Sequence, residues 1–436
     1  FNELQVVRRL IDAVANLDYP LECLSIQILD DSTDDTTDVV KNLVSSYKAK
    51  GLDIECYHRS HRFGNKAGAL AAGLLHVRGE YIAIFDADFV PPTDYLKSTM
   101  PYFSSGNVGM VQTRWGHLNA LKNPLTRAQA IALDGHLVVE QVARSRNYLL
   151  FNFNGSSGVW RKKCIVSSGG WQADTIAEDL DLSYRAQMSG WEFRYLSDVV
   201  SPAEIPVGIY AFKRQQFRWV KGSVQCLLKH ATRLIGFAEF SLWKRVQALL
   251  HLGGYLMHPM MLCFLVSSIP CMIYADLNHS LPQWLGIAGL GPPVLYAVAQ
   301  ATAYRNGLLR FVWFPVLMLF GLGVAVNNTR AVIEAILGYR PDEFLRTPKN
   351  SGLSVSVYDL HETKNDKIVW LEFFFAAYAV AAFILSIQRL PAIAPFLALF
   401  VLGFVLVGLM GLLEINRTSR NVKTWKEESA FLDQDM

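Results

Sequence analysis

Two patterns of hydrophobic and polar positions divide the chain. In residues 1–235, short apolar runs alternate with stretches of helical periodicity. Leu24–Leu29 is an apolar run that stops at Asp30-Asp31, and a capping-type Ser32-Thr33 leads into a helical stretch to Tyr47. Asp53–Tyr57 reads as the next strand and Asn65–Val77 as a helix rich in Ala and Leu. Tyr81–Phe85 reads as a nearly all-apolar strand ending in Asp86-Ala87-Asp88, and Val108–Thr113 as another strand. Apolar strands separated by helices predict a Rossmann-like α/β domain whose mostly parallel sheet is covered on both faces. Such sheets bind ligands beyond the carboxyl ends of their strands. The two acidic clusters stand at such ends.

From residue 236 the pattern changes. Between Val246 and Tyr304 the only charged residue is Asp276, and between Ile368 and Leu413 the only ones are Glu372 and Arg389. A membrane crossing needs about 20 apolar residues, which predicts crossings near 247–275, 284–303, 368–388 and 392–413. The first two are joined by a loop without Lys or Arg, whereas Lys244, Arg245, Arg305 and Arg310 flank the pair. Positive-inside bias therefore places residues 1–235, Arg305 and a tail at 417–436 in the cytosol. The segment 308–338 is apolar at first and then amphipathic through Asn327, Asn328, Arg330 and Glu334, so it is expected as an interfacial or half-inserted helix. Asn278-His279-Ser280 is a glycosylation sequon on the predicted outer loop.

Composition supports this division and removes other readings. Of 436 residues, 51% are hydrophobic and 18% charged, against about 25% charged in an ordinary soluble domain; the mean hydropathy is +0.20. A net charge of +3, dispersed along the chain, argues against nucleic acid as a partner. The six cysteines show no metal-type spacing and do not suggest a disulfide framework. The chain starts at Phe1-Asn2-Glu3 without Met or a signal peptide and is read as truncated.

Several short motifs bear chemistry, each with a plainer alternative. Asp86-Ala87-Asp88 presents two carboxylates to one hard cation, such as Mg²⁺ or Mn²⁺, or is a solvated acidic turn. Asp30-Asp31 suits a nucleotide's base and ribose, or simply begins a helix. Arg62-Phe63-Gly64-Asn65-Lys66-Ala67-Gly68 offers cations and a small-residue turn opening a helix, as a diphosphate requires. Glu178-Asp179, at the start of an amphipathic stretch through Met188, is either a helix cap or a general base for an attacking hydroxyl. Gln215, Arg218 and Trp219 lie about one turn apart on one helical face. An indole there stacks on a pyranose and an Arg neutralises a leaving phosphate, or both anchor the chain at a membrane surface.

The order of these motifs closely resembles the processive family-two glycosyltransferases of the cellulose synthase type, over essentially the whole chain. The Gln215-x-x-Arg218-Trp219 signature is the most specific, and Phe344-Leu345-Arg346-Thr347-Pro348-Lys349 looks like the family's gating loop, here at 340–352. The stretches 111–115, 133–136 and 153–161 look most like the mannan/glucomannan synthase-like branch and its related glucan synthases. The resemblance implies a cytosolic α/β GT-A-type catalytic domain followed by an α-helical transmembrane domain (236–416). It implies a metal-dependent, inverting transfer of hexose from UDP-glucose or GDP-mannose to a β-1,4-linked polysaccharide acceptor. In it, Asp30, Asp31, Lys66, Asp86, Gln215, Arg218, Thr347 and Lys349 bind the donor, and Asp86 with Asp88 holds the metal. Asp179 is the base beside Glu178, and Trp219, Trp115 and His136 contact the acceptor. The family's first strand and N-terminal transmembrane helix are expected ahead of Phe1, and Ala177 stands where Thr or Val is usual. The protein is then a multi-pass membrane protein, of the plasma membrane if bacterial and the Golgi if plant-like. A non-processive enzyme making a glycolipid is the alternative.

Overall fold

The computed structural model describes residues 1–274, 289–338 and 367–432. Strands β1 (Ile26–Asp30) and β2 (Ile54–His58) form a parallel pair with Ile26 opposite Ile54. Strands β3 (Tyr81–Ile84), β4 (Val108–His117), β5 (Gly158–Arg161) and β6 (Glu192–Ala203) form a second sheet in the order β3-β5-β4-β6. This sheet is mixed, which corrects the mostly parallel one expected: β5 runs antiparallel to β3 and β4, and only β4 and β6 are parallel. The reversal follows a turn with positive φ at Gly155 (81°) and Ser157 (57°), and β5 then zips Gly158 against Ile84. Both faces of the sheet are covered, as expected. Met110 packs with Phe151, Phe153, Trp160 and Phe193 on one side, while the adjacent Val111 packs with Leu10, Tyr95 and Val159 on the other.

Helices of nine residues or more are labelled in chain order. In the first half α1 (Val7–Ala15) and α2 (Thr36–Ala49) cover the β1–β2 pair through Ile11, Val40, Val44 and Ile54. Ser32 does not cap α2: the amide of Thr36 donates to Asp34 Oδ1 at 3.0 Å, and Ser32 Oγ accepts from the Asn2 amide at 2.8 Å. Next come α3 (Asn65–Leu74), α4 (Pro124–Asp134), α5 (Glu178–Met188) and the long α6 (Ile209–Gly236). α6 lies directly on the entry to α5. A Cβ on Gly222 would come within 2.7 Å of Ala177 Cβ, and Gln225 Oε1 accepts from the Ile176 amide at 2.9 Å.

The second half is helical. Helix α7 (Leu242–Gly253) continues through a tight turn into α8 (Met257–Tyr274). They are followed by α9 (Gly291–Ala303), α10 (Phe314–Gly323), α11 (Ala325–Ile336), α12 (Ile368–Arg389) and α13 (Ala394–Leu432). Among the described residues, Leu242–Tyr274, Ile368–Arg389 and Pro391–Arg417 are long and apolar enough to cross a membrane. Segment 307–336 passes that test only as a pair of helices bent by 44°. Its polar face turns into the protein: Asn327 Nδ2 donates to the Lys213 carbonyl at 3.0 Å, and Asn328 Nδ2 lies 3.0 Å from His258 Nε2. Asn327 and Asn328 thus make contacts inside the protein, while Arg330 of the same helix is exposed. The backbone of α13 stays helical to Leu432, where a tail was expected from residue 417. The sequon at Asn278 and the loop at 340–352, with Thr347 and Lys349, lie outside the described residues.

Within α6, Lys213 reaches Glu372 of α12 at 2.8 Å, with side chains only 3% and 0% exposed. Removing one partner of such a pair costs about 3–5 kcal/mol, whereas replacing both by apolar groups is often neutral. Glu372→Ala is therefore expected to lower the unfolding temperature in detergent clearly, and Lys213→Met with Glu372→Leu to restore most of it. Equal loss in the single and double variants would show that the pair is not what joins the two helices.

Candidate active site

The site is built on a tight turn at the start of α3. Gly64 and Asn65 take positive φ (71° and 47°), which aims the first turn of α3 across the sheet end. Arg59 holds this turn, donating from Nη1 to the Phe63 carbonyl (3.2 Å) and from Nη2 to the Asn65 carbonyl (3.0 Å). The same guanidinium is gripped by both carboxylate oxygens of Asp31 at 2.7 and 2.5 Å. Lys66 thereby reaches Asp86, with which it forms an ion pair, and the Gly155 carbonyl at 2.8 Å. Asp86 lies just past β3, its amide donating to Ser156 Oγ at 2.9 Å. A Cβ at Gly155 would stand 2.7 Å from Asp179 Oδ2, so the turn that reverses the chain into β5 also makes room for that carboxylate. Asp179 Oδ1 accepts from the Leu180 amide at 2.8 Å, fixing it on the first turn of α5.

Across from these groups, α6 contributes Gln215, Arg218 and Trp219. The cleft between them measures about 330 Å³ and is lined by Lys66, Asp86, Asp88, Trp115, Glu178, Asp179 and the three α6 residues. Trp115 is set by an Nε1–H bond to the Ser156 carbonyl (3.1 Å) and by Phe89 edge-on at 5.4 Å.

Charge is concentrated here and partly withdrawn from water. Burial, and then the charge of Asp179, pushes the Glu178 carboxyl up to about 7, against the pull of Lys66. Burial raises Asp179 as well, again opposed by Lys66. Lys66 is buried too, yet Asp86, Glu178 and Asp179 together hold its proton more firmly than usual. Burial and the neighbouring Arg214 bring Arg218 down to about 10. A carboxylate with raised proton affinity facing two cations across a cleft is an arrangement for accepting a proton while an anion departs. Asp86 and Asp88 supply an all-oxygen pair at the same cleft. Among the described residues no set of three His, Cys, Asp or Glu side chains is grouped to cage a metal. The donor set thus fits Mg²⁺ or Mn²⁺ that draws its other ligands from a diphosphate and water.

Similarity to known proteins agrees with this geometry. The Glycosyl transferase family 2 profile matches residues 1–165. Glucomannan 4-beta-mannosyltransferase 1 of Oryza sativa subsp. japonica is 33% identical over 88% of this chain and 75% of its own length. Probable glucomannan 4-beta-mannosyltransferase 11 of Arabidopsis thaliana is 33% identical over 80% of this chain and 79% of its own. The chain belongs to the glucomannan 4-beta-mannosyltransferase family. Of another member, probable glucomannan 4-beta-mannosyltransferase 7 of Oryza sativa subsp. japonica, it spans 58% at 36% identity. Among solved structures, mannosyltransferase PcManGT from Pyrobaculum calidifontis in complex with GDP-Man and Mn²⁺ is similar with a TM-score of 0.51. That likeness, at 20% identity over 78% of this chain and 86% of the other, shows a common GT-A-like α/β fold.

In this family-two glycosyltransferase, most of the site residues expected from the sequence meet in one cleft, and three of the described ones, Asp30, Asp31 and His136, do not line it. Asp30, at the end of β1, accepts from the Ser32 amide (3.1 Å) and Thr37 Oγ1 (2.6 Å) and lies 2.9 Å from His58 Nδ1. Burial would raise its pKa, but these bonds hold it below the usual range. Asp31 acts on the cleft through Arg59. His136 stands one layer behind, on a single π-helical turn (Gly135–Glu140), 2.9 Å from Glu140 and 3.4 Å from Asn154 Oδ1. Only Asn154 of that chain reaches the lining. The lining also includes His117 and Glu204, which the sequence did not single out. Their spacing fits no motif, because each becomes a cleft residue through strands β4 and β6 lying side by side.

The raised carboxyls have a cost with a definite sign. A group whose folded pKa exceeds its unfolded value, about 4 for a carboxyl, contributes stability below that value, and the contribution is lost as pH rises through the folded one. At pH 8, where the carboxyl of the unfolded chain is ionised, the raised Asp179 therefore opposes folding. Asp179→Asn, which keeps the Leu180 bond, is expected to unfold at the same or a higher temperature than the parent at pH 8. A lower temperature would mean that the charge is stabilised by Lys66 beyond the cost of its burial.

Proposed function

We propose that this chain transfers a hexose, with inversion, from a nucleoside-diphosphate sugar to the growing end of a β-1,4-linked polysaccharide, and that its apolar helices guide the product through a membrane. The observation that carries this reading is the cleft itself, where a raised carboxylate pair faces Arg218 and Trp219 across the Lys66–Asp86 ion pair. The names of the relatives supply the polymer, and GDP-mannose or UDP-glucose are the candidate donors.

In this reading Asp179 takes the proton of the acceptor's terminal hydroxyl as that oxygen bonds to the anomeric carbon. The bond from that carbon to the diphosphate breaks on the opposite face, which gives the β-linkage. Lys66, Gln215 and Arg218 hold the diphosphate before and after the break, and the charges of Lys66 and Arg218 are already in place as negative charge develops. Asp86 and Asp88 would hold Mg²⁺ or Mn²⁺, which when bound neutralises the leaving diphosphate. Trp219 and Trp115 offer ring faces to the acceptor, and His136 acts on it only through Asn154. The nucleoside belongs at the β1 end, near Asp30 and Asp31, and Thr347 and Lys349 contact the donor from the gating loop. The domain reading follows from this: catalysis in 1–235, a multi-pass membrane region in 236–416.

Membranes containing the chain are expected to build alkali-insoluble polymer from one labelled donor, degraded by a β-1,4-specific hydrolase. Excess EDTA is expected to abolish the synthesis and Mg²⁺ or Mn²⁺ to restore it. Asp179→Asn should lower kcat by about 10²- to 10⁴-fold. Full activity in EDTA would remove the metal, and a lipid-linked mono- or disaccharide as sole product would remove the polymer.

A further inference from the structure

Glu204 is the first residue beyond β6, and it lines the cleft with a side chain only 8% exposed. Its two oxygens have different surroundings. Oε1 accepts from Arg9 Nη1 at 3.0 Å, and Nη2 of the same Arg9 donates to the Asp88 carbonyl at 3.3 Å. One guanidinium therefore fixes Glu204 against the Asp86-Ala87-Asp88 turn. Oε2 is buried and has no hydrogen-bond donor among the described residues. A second buried group on the lining is left over in the complementary sense. Asn154 Oδ1 is within reach of donors from Gln141 (3.2 Å) and Asn152 (2.7 Å), while its Nδ2 has no acceptor among the described residues.

An unmatched acceptor and an unmatched donor on one cleft are costly while empty, and each is satisfied by a ligand group of the opposite kind. A sugar hydroxyl is both donor and acceptor. Among the described residues Glu204 is not grouped with Asp86 and Asp88 as a set of three metal ligands. We infer that Glu204 Oε2 accepts a hydrogen bond from one hydroxyl of a hexose bound in the cleft, so that Glu204 sets which hexose is used. Arg9 is then a positioning residue, holding the carboxylate in register with the diphosphate end. The hexose is that of the donor or the terminal unit of the acceptor; both present the same chemistry. This inference rests on the glycosyltransferase reading above.

The test uses the full chain in membranes with the donor that supports transfer and its monodeoxy analogues, one for each sugar hydroxyl. A parallel series uses oligosaccharide acceptors deoxygenated at the terminal unit. The parent is expected to lose on the order of 10- to 100-fold in kcat/KM for one analogue, the worth of a hydrogen bond to a charged group. Glu204→Leu is expected to use that analogue and the natural substrate equally well, with its preferences at the other hydroxyls unchanged. Whether that analogue is in the donor or the acceptor series identifies the source, and either result supports the inference. If Glu204→Leu and Arg9→Met instead reduce kcat/KM for every substrate by one common factor, Glu204 serves only as the partner of Arg9 and the inference is overturned. If the parent transfers no sugar at all, the glycosyltransferase reading fails, a result distinct from a uniform loss.

Discussion

Lys213–Glu372 is one of several contacts by which α6 is held to the membrane-side helices while its other face forms the cleft. Glu414 of α13 accepts from the Ile209 and Tyr210 amides at 2.8 and 3.4 Å, placing a carboxylate at the positive end of α6. A Cβ at Gly208 would come within 2.6 Å of that carboxylate, so the close approach needs glycine. Two residues beyond Trp219, Lys221 reaches Glu334 of α11 at 2.9 Å with its own side chain fully buried. Gln215, Arg218 and Trp219 lie between these two ion pairs. Their position relative to α11, α12 and α13 is therefore determined by charges that are costly to separate.

The opposite wall is fixed by a second buried carboxylate. Asp181 sits two residues after Asp179, 0% exposed, and binds Arg185 (2.9 Å), His230 Nε2 (2.8 Å) and Lys229 (2.7 Å). Burial would raise its pKa, yet His230, Lys229 and Arg185 hold it well below the usual range. Asp179 experiences burial with less compensation and moves the other way. Two carboxylates in the first turn of α5 are thus driven in opposite directions by their surroundings. Because His230 and Lys229 belong to α6, Asp181 also sets the distance between Asp179 and Arg218.

Much of this was legible locally. The boundaries of α5 agreed with its amphipathic stretch, the Asp86-Ala87-Asp88 turn follows β3, and the spacing of Gln215, Arg218 and Trp219 puts all three on the cleft. What was not legible depends on distant pairing. The insertion of β5 between β3 and β4 is decided by a turn at Gly155, whose glycine is required by Asp179, 24 positions later in the chain. Arg9 and Glu204 are separated by 195 positions, so neither carries a local signal. Asp30 reads as a nucleotide contact from its place at the end of a strand and from the resemblance; the bonds it makes to Ser32, Thr37 and His58 come from the turn, the helix and the strand around it. The inward contacts of Asn327 and Asn328 with Lys213 and His258 were likewise not legible, because their partners lie 114 and 70 positions away.

The central claim is that Asp179 and Glu178 form a carboxylate pair whose proton affinity is raised by burial and which must be deprotonated for transfer. The pH dependence of kcat/KM reports the ionisation of the free enzyme and tests this most directly. The account predicts that kcat/KM falls as pH drops through a range raised above that of ordinary carboxyls, with the Glu178 carboxyl at about 7 and Asp179 raised by burial. Asp181→Asn should shift or broaden that limb by loosening α5 from α6. An acid limb near the ordinary carboxyl value of about 4, in a chain that still transfers sugar, would contradict it.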